Sequence, residues 1–179
     1  MAVSVIGSYR LQQDDLPVSL KGYWRYQPGD DSVWASRGYD DSRWMLRRSV
    51  SFAAAKDTAK TGSAAVAWFR LRVIIDSGLA GKPLAITMTK SAKADVFIDG
   101  RPISSSAEAP QSMAEDSVIP VKRPMLFTLD KPGTHLIAVR LENTGAVPSG
   151  GSPGSQSLTI RLPDTTVMWP EMRPAFTFT

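Results

Sequence analysis

Trp68-Phe69-Arg70-Leu71-Arg72-Val73-Ile74-Ile75-Asp76 is the stretch that decides the fold. Phe69, Leu71, Val73 and Ile75 recur at every second position. Trp68, Arg70 and Arg72 stand between them, with Ile74 breaking the polar run. Successive side chains of a strand point to opposite faces, so this pattern reads as a half-buried strand with one face on a core. The same spacing returns along the chain. Leu84, Ile86 and Met88 alternate with Ala85, Thr87 and Thr89. Met125, Phe127 and Leu129 alternate before the turn Asp130-Lys131-Pro132-Gly133. Ile137, Val139 and Leu141 form another inward face, and Leu158, Ile160 and Leu162 a last one. Upstream, Gly22-Tyr23-Trp24-Arg25-Tyr26-Gln27 alternates aromatic and polar residues and stops at Pro28-Gly29-Asp30-Asp31. Val96-Phe97-Ile98, Asp99-Gly100 and Arg101-Pro102-Ile103 read as a hairpin, because a type I′ turn needs positive φ at both central positions.

Helical periodicity is poor. Ser51 to Ala67 is rich in Ala and Lys but interrupted by Gly62, and is expected to be a short helix or a long loop. Ala107 to Asp116 has room for one helical turn. Thr144 to Gln156, with four glycines and two prolines, reads as a surface loop. The tail from Trp169 to Phe178 is expected to be an edge strand or a linker. About eight strands with long connections argue for an all-β sandwich of two antiparallel sheets. The 179 residues suit one domain, residues 1–179, with its core in about 20–165.

Composition narrows the chemistry. With 42% hydrophobic residues the chain can build a core. With no cysteine it has no disulfide, thiolate metal site or Cys nucleophile. The net charge of +4 is mild, and of the basic residues only Arg43, Arg47 and Arg48 sit close together, so no nucleic-acid partner is expected. No apolar run approaches the ~20 residues of a transmembrane helix. Met1 to Gly7 lacks the charged start of a secretory signal.

Four stretches, in order, resemble the galactose-binding-like jelly roll. They are Gly22-Tyr23-Trp24-Arg25-Tyr26 with Tyr39-Asp40-Asp41-Ser42-Arg43-Trp44, then Ala67-Trp68-Phe69-Arg70, then Val96 to Ile103, then Thr134 to Leu141. They cover roughly Gly22 to Leu162. Two groups of proteins carry this module: family 2 glycoside hydrolases, as a sugar-binding domain, and bacterial membrane signalling proteins, as an extracytoplasmic sensor. Asp99 and His135 stand where Asn is usual in the pattern. The Gly-Ser-Pro loop after Asn143 lacks the acidic residues with which the hydrolase domain reaches a neighbouring active site.

The resemblance implies a non-catalytic, ligand-binding domain with carbohydrate, or another small ligand, as the ligand class. Its leading form is the sensor of a bacterial envelope protein, periplasmic or extracellular, reaching a membrane only through its parent. The alternatives are an accessory domain of a glycoside hydrolase and a protein–protein interaction module that pairs with itself or a partner. No catalytic group is expected. The single histidine, His135, has no nucleophile-elbow serine to serve. Asp30/Asp31 and Asp40/Asp41 are adjacent pairs in turns, better placed to bind local N–H groups than to flank a glycosidic bond. The resemblance leaves room for a structural Ca²⁺ on such carboxylates, and no other cofactor is expected. Sugars stack their C–H faces on aromatic rings and bond their hydroxyls to planar polar groups. Trp34, Arg37 and Tyr39, together in one loop, are therefore the first ligand-binding candidates, with Arg101 and Asn143 behind them. Trp24, Trp44 and Trp68 are expected to pack in the core or at its rim, and Trp34 and Trp44 together have a second reading, in which they pin the loop to the sandwich.

Overall fold

A computed structural model describes residues 4–5, 8–48, 50–51, 65–88, 93–105, 124–143, 155–156 and 158–163. Strands are the dominant element of the described residues: β1 (Ser4–Val5), β2 (Ser8–Leu11), β3 (Val18–Ser19), β4 (Trp24–Pro28), β5 (Met45–Arg47), β6 (Val50–Ser51), β7 (Ala65–Ile75), β8 (Pro83–Met88), β9 (Lys93–Ile98), β10 (Arg101–Ser105), β11 (Met125–Thr128), β12 (Gly133–Asn143), β13 (Ser155–Gln156) and β14 (Leu158–Arg161). Two short 3-10 turns, Gln13–Asp15 and Ser32–Ala35, interrupt them.

Two sheets make the sandwich. The larger runs β1-β2-β7-β12-β9-β10, and the smaller runs β11-β8-β14-β3. β6 and β13 form a separate ribbon. The long strand read first from the sequence is the spine of the large sheet. β7 pairs along its whole length with β12, from Ala65 opposite Asn143 to Ile75 opposite Gly133. Its other edge is shared: β4 lies antiparallel against Ala67–Arg70 and β2 lies parallel against Arg72–Ile75. β5 extends the sheet beyond β4. The single parallel pair aside, all pairings are antiparallel among the described residues.

The alternation in the sequence maps onto the core except at Leu162, which was expected on the inward face but lies past the end of β14 and is 39% exposed. Phe69, Leu71, Val73 and Ile75 meet Leu84, Ile86, Leu158 and Ile160 from the small sheet, all buried. Each such side chain contributes about 1.5–3 kcal/mol by leaving water. The Asp99-Gly100 turn is as expected, with φ of 49° and 86°. No helix among the described residues is long and apolar enough to cross a membrane.

The segment Ser51 to Ala67 lies mostly outside the described residues, but its last three residues open β7. The Thr144 to Gln156 loop ends in β13, and the rest of it lies outside the described residues, as do Ala107 to Asp116 and the tail from Trp169.

Candidate functional site

The outer face of β7 differs from the half-buried strand expected of it. Trp68 is 1% exposed and Arg70 is fully buried. The cause is the loop of residues 29–44, which leaves β4 and folds back over the large sheet. Gly29 starts it with φ of 116°, and a Cβ there would come 3.1 Å from the Trp34 ring, so both backbone and space call for glycine. Asp31 accepts the Val33 N–H at 3.0 Å and caps the Ser32–Ala35 turn. Trp34 is thereby set edge-on against Trp44 and Trp68, with ring centroids 5.2 and 6.3 Å away. Trp68 stacks in turn on Phe97 of β9. Ala35, Leu136 and Ala138 complete a small second core on this face.

Arg70 holds the loop to the sheet. Its guanidinium donates to the carbonyls of Trp34 (2.7 Å), Ser36 (3.1 Å) and Tyr39 (3.2 Å). It lies over the rings of Tyr39 and Trp44. Its Nε is 2.9 Å from buried Asp41 Oδ2, an ion pair whose N–H direction is poorly aligned for a hydrogen bond. Arg72 donates to the other Asp41 oxygen at 2.8 Å. Burial pushes the Arg70 guanidinium below its ordinary pKa, and the Asp41 carboxylate opposes that.

Beside this lies a second ionic group. Arg140 forks onto Asp30, with Nε at 2.8 Å and Nη2 at 2.6 Å, while Nη1 reaches Glu142 at 3.1 Å and Asp95 at 3.3 Å. Trp68 Nε1 also donates to Asp30. The hydrogen bond from Arg140 holds the Asp30 carboxyl below the ordinary carboxylate range. The two aspartate pairs therefore divide: Asp31 and Asp40 bond local N–H groups, Asp40 through Ser42, whereas Asp30 and Asp41 make ion pairs far along the chain. Asp30, Asp40 and Asp41 are engaged by guanidinium or N–H donors that a Ca²⁺ would have to displace, so these carboxylates are a poor donor set for one. Among the described residues no three His, Asp or Glu side chains gather in a metal-holding group.

The two departures from the jelly-roll pattern turn out to face each other. His135 Nδ1 lies 2.5 Å from Asp99 Oδ2, and Nε2 lies 2.8 Å from the Lys131 carbonyl. Asp99 Oδ1 accepts the Leu136 N–H at 2.8 Å, and the Asp99 N–H donates to the Leu136 carbonyl. The hairpin turn is thus tied to β12 by one carboxylate.

The ligand-binding candidates fall into three groups. Trp34 and Tyr39 are half-buried in the loop's packing against Trp44. Arg37 is exposed and lies 4.0 Å from Asp99. Arg101 is exposed and follows Gly100 at the same hairpin tip, whose backbone approaches Ala35 and Ser36. Arg37 and Arg101 therefore share one corner, with Trp34 and Tyr39 anchoring the loop that carries Arg37. Asn143 ends β12 opposite Ala65, the far end of that strand from the Asp99 turn. The roles of Arg70 and Arg140 were missed in the sequence, where both stand at polar positions of alternating strands and carry no signal of burial.

No protein-family profile and no curated protein sequence matches the chain. Solved structures do. A family 2 glycosyl hydrolase from Bacteroides cellulosilyticus superposes with a TM-score of 0.54 at 18% identity, over 81% of this chain and 20% of that one. A β-glycosidase from Bacteroides vulgatus gives 0.52 at 18% identity, over 80% and 20%. A β-glucuronidase from Bacteroides uniformis gives 0.50 at 18%, over 80% and 17%. At this identity the likeness is one of fold, and the chain spans about a fifth of the length of the structures it matches. The chain is a β-sandwich, similar in fold to a segment of family 2 glycoside hydrolases.

Proposed function

We propose that the chain is a non-catalytic accessory domain of a larger, glycoside hydrolase-like protein, and that its ligand is a carbohydrate. The observation that carries this reading is the sandwich it shares with a segment about a fifth of the length of the family 2 hydrolase chains. That likeness favours an accessory domain over an envelope sensor.

The side-chain chemistry supports a binding role. Both ring nitrogens of His135 are engaged by Asp99 and the Lys131 carbonyl. The carboxylates of the covered face are engaged by Arg70, Arg72 and Arg140. Groups that are spent on holding the fold are poorly placed to move a proton in a reaction. Arg37 and Arg101 are exposed at one corner beside an aromatic-rich loop, and their guanidinium planes suit sugar hydroxyls or carboxylates. A glycan array is the test. Retention of a saccharide by the chain, lost in Arg37→Ala and Arg101→Ala variants of unchanged stability, is the expected result. Retention unaffected by either change moves the site elsewhere, and no retention of any saccharide removes the carbohydrate part of the proposal.

A further inference from the structure

We propose that the open edge of β5 is a docking site for an acidic, extended polypeptide segment. This goes beyond the accessory-domain reading and does not rest on it. Among the described residues β5 pairs with β4 alone, and no described strand lies on its outer edge. Met45 and Leu46, on opposite faces of that strand, are 47% and 39% exposed.

Four arginines surround them. Arg25 donates to the Ser42 and Trp44 carbonyls, Arg47 lies over the Tyr26 ring, and Arg48 lies over Tyr23 and donates to its hydroxyl. Arg43 is exposed at the start of the strand. Among the described residues none of the four forms an ion pair with a carboxylate. Asp40 stands near enough to feel the charge of Arg43, but its oxygen is bonded to the Ser42 N–H. Arg70, Arg72 and Arg140 are matched by carboxylates; among the described residues these four arginines are not.

The occupant follows from that chemistry. A second copy would set arginine against arginine across the shared edge, which is unfavourable. Bases or sugar rings need free aromatic faces, and the Tyr23 and Tyr26 rings are covered by guanidinium groups, with Tyr26 itself buried. An extended peptide uses what is present: the open ladder, apolar contacts for Met45 and Leu46, and carboxylates for the guanidinium forks.

The experiment is fluorescence anisotropy with a labelled peptide of alternating Glu and Val, alongside a Lys-Val peptide and oligothymidylate. Expected is saturable binding of the Glu-Val peptide only, weakened by salt and weakened about tenfold or more by the paired changes Arg43→Glu and Arg48→Glu at exposed positions. Met45→Glu, which keeps every arginine, is expected to weaken it as well. Circular dichroism confirms that each variant is folded. Absence of saturable binding, equal binding of the Lys-Val peptide or oligothymidylate, or undiminished affinity in the folded Arg43→Glu/Arg48→Glu variant overturns the proposal.

Discussion

Asp99 and His135 are each a departure from the jelly-roll pattern when read alone, and a matched pair when seen in space. One carboxylate binds the imidazole and the Leu136 N–H, so losing Asp99 leaves the buried imidazole without its partner, and losing His135 removes one bond from the half-buried carboxylate. Asp99→Asn and His135→Asn are each expected to cost about 1–3 kcal/mol of stability. The double change is expected to cost less than their sum, with a coupling of about 0.5–3 kcal/mol in a urea-denaturation cycle. Additive costs would mean that the two residues act independently. The Asp30–Arg140 pair gives a pH dependence. The folded-state pKa of Asp30 is depressed, so its contribution is present above the ordinary carboxylate range and is lost as pH falls through the folded value. Asp30→Asn is therefore expected to flatten the acid limb of a stability-versus-pH curve while leaving its shape near neutrality unchanged. A parallel acid limb in both proteins would assign it to other groups.

Legibility in the sequence depended on the length of the element. β7, β8, β12 and β14 were readable because each repeats its apolar period at least twice, and the Asp99-Gly100 hairpin because its dipeptide has a specific backbone requirement. β1, β3, β6 and β13 have two residues each, too few to show a period. The parallel pairing of β2 with β7 was hidden because register between distant strands leaves no local mark. The loop of residues 29–44 shows the same limit in the candidate site. Its aromatics were visible, but their packing onto Trp68 and Arg70 is decided by the fold, and an arginine is seldom buried without a partner. Asp41 is that partner, brought 29 residues along the chain to Arg70. Asp41→Ala is expected to cost about 3–5 kcal/mol by leaving a buried charge uncompensated. Arg37→Ala, in the same loop but exposed, is expected to change stability by no more than about 0.5 kcal/mol. Urea unfolding midpoints of the two variants compare them directly, and equal midpoints would show that the loop is not held by the ion pair.

At the scale of the molecule, the large sheet is covered on both sides near β7: by the small sheet within, and by the clamped loop without. This arrangement spends most of the charged groups near that strand on architecture and leaves the Arg37–Arg101 corner and the β5 edge as exposed polar chemistry. It fits the accessory role proposed above. The proposed function is binding without bond cleavage, and one titration tests both halves. An amide-resolved NMR titration with oligosaccharides is expected to move the resonances of Arg37, Arg101 and the flanking loop while the sugar's anomeric signals stay unchanged over the course of the experiment. Loss of those anomeric signals to hydrolysis products, or amide resonances that stay in place at saturating sugar, would contradict it.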